Sequence, residues 1–132
     1  KNVTKEEIAE ITAIFNSFGK SEIVPEHLMD AVTAVSGSSP AYVYMMIEAM
    51  ADAAVVEGMP RPQAYKFAAQ AVLGSAQMVL ETGKHPGELK DMVCSPGGTT
   101  IAAVAKLEET GFRSSIMQSM KACADKSREM SK

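Results

Sequence analysis

Between Pro40 and Glu57 the chain is apolar almost throughout: from Ala41 to Val56 only Glu48 and Asp52 interrupt the run. Wound as a helix, such a run is apolar nearly all round, and in a soluble chain that means burial on all sides. The chain has 132 residues, one ordinary domain with room for a real core. A single domain of this size has little capacity to surround a helix of that length. A second copy is the economical cover, so the run predicts a homodimer with an interlocked core. The rival reading is a membrane span. The run is too short for one, opens with Pro40, holds two carboxylates near its centre and is rich in alanine and methionine, so a membrane partner is excluded.

Around that run the chain reads as helices separated by glycine and proline. Thr4-x-x-Glu7 is a capping box, and Ile8, Ile11, Ile14, Phe15 and Phe18 form one apolar face that Gly19 stops. Ser21-Glu22-Ile23-Val24 is a short strand-like run, odd beside helices because a lone strand has no ladder partner. Pro25 opens a helix with Leu28, Val32 and Val35 along one side. Further helices are predicted from Pro40 to Glu57, Pro62 to Thr82, Pro86 to Val93, Thr99 to Thr110 and Arg113 to about Arg128. No strand pattern or internal repeat follows Val24, and the ten methionines read as adaptable core filling.

Charged residues make up 22% of the chain with a formal net charge of −3, and no basic patch with interleaved aromatics is present, which argues against nucleic acid. Cys94 and Cys123 lack metal-ligand spacing with each other or with His27 and His85. No metal site or disulfide framework is expected; a reducing, cytoplasmic setting fits, and each histidine reads as a cap or a surface residue. The chain starts at Lys1 without a leader pattern and is expected to be part of a longer protein.

The segment with chemical content is Val93-Cys94-Ser95-Pro96-Gly97-Gly98-Thr99-Thr100. A helix stops at Cys94-Ser95, Pro96-Gly97-Gly98 cannot continue it, and a new helix starts at the threonines. Two adjacent glycines remove side chains where something approaches the backbone closely. The free N–H groups of the next helix's first turn point at that space and favour an anion. The Thr99 and Thr100 hydroxyls can cap the helix or reach a ligand. The plainer reading is a corner in which Ser95 and the threonines only cap.

The surroundings of this loop carry a resemblance. His85-Pro86-x-x-Leu89-Lys90-Asp91-x-Val93 precedes it and Leu107-Glu108-Glu109-x-Gly111-Phe112-Arg113 follows it. Upstream lie Asp30-Ala31-Val32-Thr33-Ala34-Val35-Ser36-Gly37-Ser38-Ser39-Pro40-Ala41-Tyr42-Val43, Glu48-Ala49-x-Ala51-Asp52-Ala53-Ala54 and Ala69-Gln70-x-Val72-Leu73-Gly74. From about residue 15 to 128 the chain resembles the Δ1-pyrroline-5-carboxylate reductase family. The resemblance implies an all-α dimerisation domain, like the C-terminal domain of 6-phosphogluconate dehydrogenase, interlocked with a second copy. Residues 1–25 would be the last helix and strand of a Rossmann dinucleotide-binding domain, and residues 26–132 the helical substrate-binding and dimerisation domain. The implied reaction is hydride transfer from NADPH or NADH to the C=N carbon of pyrroline-5-carboxylate, giving proline, in dimers that assemble further into decamers.

By resemblance, Thr100 is the catalytic hydroxyl beside the ring nitrogen. Ser95, Gly97, Gly98 and Thr99 shape the loop and hold the carboxylate, and Glu26 reaches the substrate from the hinge. Glu26 also suits a plain first-turn helix carboxylate, and Glu48 and Asp52 read as bonded to neighbouring helix ends. Gly83 departs from relatives that place a substrate-contacting carboxylate there. No G-x-G-x-x-G follows a strand, so no cofactor-binding residue is expected in this chain and alone it should be inactive. The alternatives are a non-catalytic helical dimerisation module and a small anion-binding protein using the loop by itself.

Overall fold

The computed structural model describes residues 3–131. Seven α-helices carry the described chain: α1 (Lys5–Asn16), α2 (Met29–Val32), α3 (Ser39–Val56), α4 (Arg61–Thr82), α5 (Pro86–Met92), α6 (Thr99–Glu109) and α7 (Phe112–Met130). A 3-10 turn, Glu26–Leu28, precedes α2, and a π-helical turn, Thr33–Gly37, follows it. Among the described residues no strand forms, and no helix is long and apolar enough to cross a membrane.

Local chemistry accounts for most of these starts and stops. Thr4 Oγ1 accepts the Glu7 N–H at 3.2 Å while Glu7 Oε2 accepts the Thr4 N–H at 2.8 Å. Both ends of the capping box are therefore closed, and the bonds from Thr4 hold the Glu7 carboxyl below its ordinary range. Proline sits in the first turn of α3, α4 and α5, where a missing N–H costs nothing.

Two expectations are corrected here. The Ser21–Val24 run is not a strand but extended coil. With no neighbouring strand to pair with, Ser21 turns instead to α1, its N–H and hydroxyl both bonding Asn16 Oδ1 at 2.9 Å. The helix expected after Pro25 is broken into a 3-10 turn, a single α turn and a π turn. Pro40 has no N–H to return to the Ser36 carbonyl and crowds it, so the chain widens just upstream. The Ser38 N–H reaches back to the Thr33 carbonyl at 2.9 Å.

Packing occurs in two patches. Helices α3 and α4 lie against each other through Ala51, Ala64 and Ala68, all buried. Helix α7 packs on α2 and the π turn, burying Ala124 and Ala34. It is tied there by the Ser127 hydroxyl to Asp30 Oδ1 (2.6 Å) and the Cys123 thiol to Ser38 Oγ (3.1 Å). Helix α6 joins through α7. Those five alanines are the whole of the buried apolar core among the described residues, and no large side chain is fully buried.

The apolar α3 helix is therefore not covered within one chain. Tyr44, Met45, Met50 and Val56 are exposed, Val56 by 84%. The chain presents 10572 Å² of accessible surface. A folded monomer of 14.0 kDa would present about 6,700 Å², so about 3,900 Å² is in excess.

Candidate functional site

Helix α5 ends by handing the chain directly to the glycine loop. The Val93 N–H bonds the Lys90 carbonyl at 3.2 Å and the Cys94 N–H the Asp91 carbonyl at 3.1 Å. A tight turn follows, closed by the Gly98 N–H on the Ser95 carbonyl at 3.0 Å, with Pro96 and Gly97 in its centre. Gly97 has φ +67, the left-handed conformation that a turn with proline before it keeps for glycine.

Gly98 is a glycine for a different reason. Its backbone is ordinary (φ −79, ψ 172), but a β-carbon there would collide with Ser95 Oγ and lie 3.1 Å from the Ser95 carbonyl. Ser95 is folded over the bare Cα of Gly98, and this crowding fixes the entry to α6.

Gly98 is the N-cap of α6 and has no side chain to cap with, and no other side chain caps this end. The Ala102 N–H is returned to the Gly98 carbonyl at 3.3 Å, which leaves the amides of Thr99, Thr100 and Ile101 facing out of the helix end. The hydroxyls of Ser95, Thr99 and Thr100 make no hydrogen bond among the described residues. The reading in which the threonines only cap therefore does not describe this helix start. The start of α6 thus offers three unpaired amides and the positive end of a helix, with the Ser95, Thr99 and Thr100 hydroxyls close in sequence, which suits a small anion with a second polar group.

The flank is basic. Lys90 is half-buried and its bond to Asp91 holds the ammonium above the ordinary lysine range. The field of Cys94 acts in the same direction and that of Arg113 against it. Arg113 Nε donates to Glu108 Oε1 at 2.5 Å and pins the α6–α7 corner.

Of the residues singled out in the sequence, Ser95, Gly97 and Gly98 lie in this loop and Thr99 and Thr100 in the first turn of α6 that it opens. Glu26 does not join them: it opens the 3-10 turn before α2, is exposed, and its carboxylate has no hydrogen bond or ion pair among the described residues. Asp52 pairs with Arg61 at the head of α4, as its reading as a helix-end partner anticipates, while Glu48 is exposed. His85 caps α5, a role taken up below. Sequence reading missed the fold of Ser95 over Gly98, for which adjacent glycines were the available signal. A mainly apolar groove of about 650 Å³ runs along Lys66, Phe67, Gln70 and Leu73 of α4, with no residue of the loop in its lining. Among the described residues no group of three or more His, Cys, Asp or Glu could hold a metal ion.

Comparison with known proteins gives a consistent picture. A family model described as pyrroline-5-carboxylate reductase dimerisation matches residues 26–130. Pyrroline-5-carboxylate reductase of Escherichia coli (strain K12) is 64% identical over 130 residues, 98% of this chain and 48% of that protein. The chain thus spans about half the length of the curated relatives it matches. The pyrroline-5-carboxylate reductase structure from Coxiella burnetii superposes with a TM-score of 0.94 at 32% identity, covering all of this chain and 49% of that one. The Plasmodium falciparum pyrroline carboxylate reductase structure, which has NADP bound, gives 0.88 at 36% identity, covering all of this chain and 53% of that one.

Proposed function

Because the chain belongs to the pyrroline-5-carboxylate reductase family, through its dimerisation domain, we propose that it is the substrate-holding and dimer-forming half of an enzyme that reduces 1-pyrroline-5-carboxylate to L-proline with NADPH or NADH. The observation that carries this reading is the uncapped start of α6, with the Thr99, Thr100 and Ile101 amides and the Thr100 hydroxyl left free. The substrate is a small ring with one carboxylate and one imine nitrogen. The carboxylate takes the amides, where the helix dipole favours it. Hydride arriving at the imine carbon leaves the nitrogen needing a proton, and Thr100 is the hydroxyl available to bond it. As a weak acid, Thr100 orients and stabilises more than it supplies protons.

The dinucleotide is read as held mainly outside this chain. Among the described residues no strand forms, so no Gly-rich turn joins a strand to a helix, and the Pro96–Gly98 turn follows the helix α5. The reductant is therefore assigned to the rest of the protein. Residues 1–25 are read as the tail of that dinucleotide-binding part and residues 26–132 as this domain; the family match that begins at residue 26 supports the division. Glu26 opens the turn at that junction; by the family resemblance it would approach the substrate from the hinge.

The excess of about 3,900 Å² supports a homodimer. It exceeds the per-copy share of most obligate interfaces, which total about 2,000–5,000 Å². A second copy over α3 and α4 thus leaves surface for the rest of the protein to cover, chiefly on α1 and the turn after it, where Ile11, Ile14, Phe15 and Phe18 are exposed.

Steady-state kinetics of the full-length enzyme test the assignment. Thr100→Ala is expected to lower kcat/KM by about ten- to a hundredfold, and Thr100→Ser to keep most activity. A fully active Thr100→Ala enzyme would remove Thr100 from the reaction and leave the loop as a backbone carboxylate site.

A further inference from the structure

We propose that His85, in its neutral form, is a positioning residue for the Ser95–Thr100 loop and acts on it through α5. The evidence is how α5 begins. His85 has extended backbone (φ −61, ψ 133), and its Nδ1 accepts the Gly87 N–H at 3.0 Å. A ring nitrogen that accepts must carry its lone pair, so the proton sits on Nε2 and the imidazole is uncharged. Pro86 has no N–H to offer, which makes Gly87 the first amide of α5 in need of a partner. The ring also packs over Gly87: a β-carbon there would lie 3.0 Å from Nδ1 and 3.3 Å from Cε1.

The consequence for the loop follows from the length of α5. Seven residues cannot hold a helix unaided. Its last carbonyls, those of Lys90 and Asp91, receive the amides of Val93 and Cys94, immediately before Ser95. A first turn that opens therefore moves the segment on which the loop hangs.

Imidazole is the side chain whose charge ordinarily changes between about pH 5 and 8. Protonation removes the acceptor at Nδ1 and places a cation at the positive end of a helix. The charges near it in sequence are already paired. Lys84 is engaged with Glu88 at 2.6 Å and Lys90 with Asp91. Glu81, near the end of α4, takes the Gln77 side chain at 2.6 Å. The α4 residues lining the groove against α5 are Ser75, Met78 and Val79, with no charge among them.

Three measurements on the full-length protein decide the matter. Long-range proton–nitrogen spectra at about pH 8 should show His85 with a bare Nδ1; a proton on Nδ1 overturns the proposal whatever the variants do. Amide protection at Gly87–Leu89, corrected for intrinsic exchange, should fall about tenfold from pH 8 to pH 5, the effect of losing a cap of ordinary strength. His85→Asn keeps an acceptor that does not titrate and should flatten that fall; an equal fall in His85→Asn overturns the proposal. The kinetic arm rests on the loop being the carboxylate site. There KM for pyrroline-5-carboxylate should rise with the same midpoint while kcat changes less, and His85→Asn should abolish the rise. An unchanged KM beside a real loss of protection refutes the positioning role. A failed Thr100 assignment is recognised separately, by full activity of Thr100→Ala.

Discussion

The hydroxyl of Ser95 fills the space that a β-carbon on Gly98 would need, and the Ser95 carbonyl lies 3.1 Å from the same point. Gly97, one residue earlier, has nothing within 4 Å of its missing β-carbon but sits at φ +67. Adjacent glycines thus answer two unrelated demands, space and backbone conformation, and they can be told apart. Gly98→Ala is expected to lower kcat/KM by about ten- to a hundredfold, the range of a crowded insertion, and Ser95→Gly should restore part of that loss. Gly97→Ala should cost stability by about 1–2 kcal/mol through its left-handed backbone, and Ser95→Gly should leave that cost untouched. Thermal melts and kinetics on the two double variants check both; equal rescue of the two would sink the distinction.

Thr99 lies beside Thr100 but is assigned only its backbone N–H. Thr99→Ala keeps that group, so kcat/KM is expected to stay within about threefold of the parent. Neither threonine caps α6, so its melting temperature should also hold. A loss as large as that of Thr100→Ala would give Thr99 a direct hydroxyl contact with the substrate.

Met46 is half-buried and Met50 exposed; both line the α3–α4 groove with Val72 and Val79 that a second copy is proposed to cover. Aspartate at either place would bury an unpaired charge in the dimer at a cost of several kcal/mol, on the order of 3–5. Sedimentation should show a dimer for the parent chain at micromolar concentration, and dissociated or unfolded chain for Met46→Asp and Met50→Asp. A compact parent monomer across that range would contradict the interlocked dimer.

Asp125 is bonded by Lys121 and Arg128, each at 2.6 Å, and the Lys121 bond, with Arg128 assisting, holds its carboxyl below the ordinary aspartate range. A carboxyl lowered on folding contributes stability that is fully present above its unfolded pKa and fades as pH falls through the folded one. Acidification below the ordinary aspartate range should therefore loosen the last turns of α7. Helix content or amide exchange at 121–130 should lose part of its acid dependence in Asp125→Asn. An identical acid profile in that variant would show that the pairing has no bearing on α7.

What could be read in advance follows the range over which each signal acts. The Thr4–Glu7 box and the proline starts of α3, α4 and α5 are local, and the helices appear where those residues put them. Ser21–Val24 has the composition of a strand, but a strand is a property of two segments, and no partner is present among the described residues. The π turn comes from Pro40 acting back on a carbonyl four residues earlier, which no apolar periodicity records. At the candidate site the glycines and threonines were legible because their chemistry is that of the residue type. The packing of Ser95 over Gly98 and of His85 over Gly87 depends on where a turn brings side chains, and only coordinates show it.

Five alanines are the only sealed apolar positions among the residues described, and that has a kinetic meaning. A newly made chain of this design has helices before it has anything to close them against. If a second copy supplies the closure, folding and association are one event, second order in chain, and refolding should speed up with concentration. The dangerous interval is then the wait between synthesis and encounter, when Tyr44, Met45, Phe67 and Leu80 are all presented to solvent. Expression level, more than the strength of any single contact, would set how many chains reach the native assembly before they meet the wrong surface.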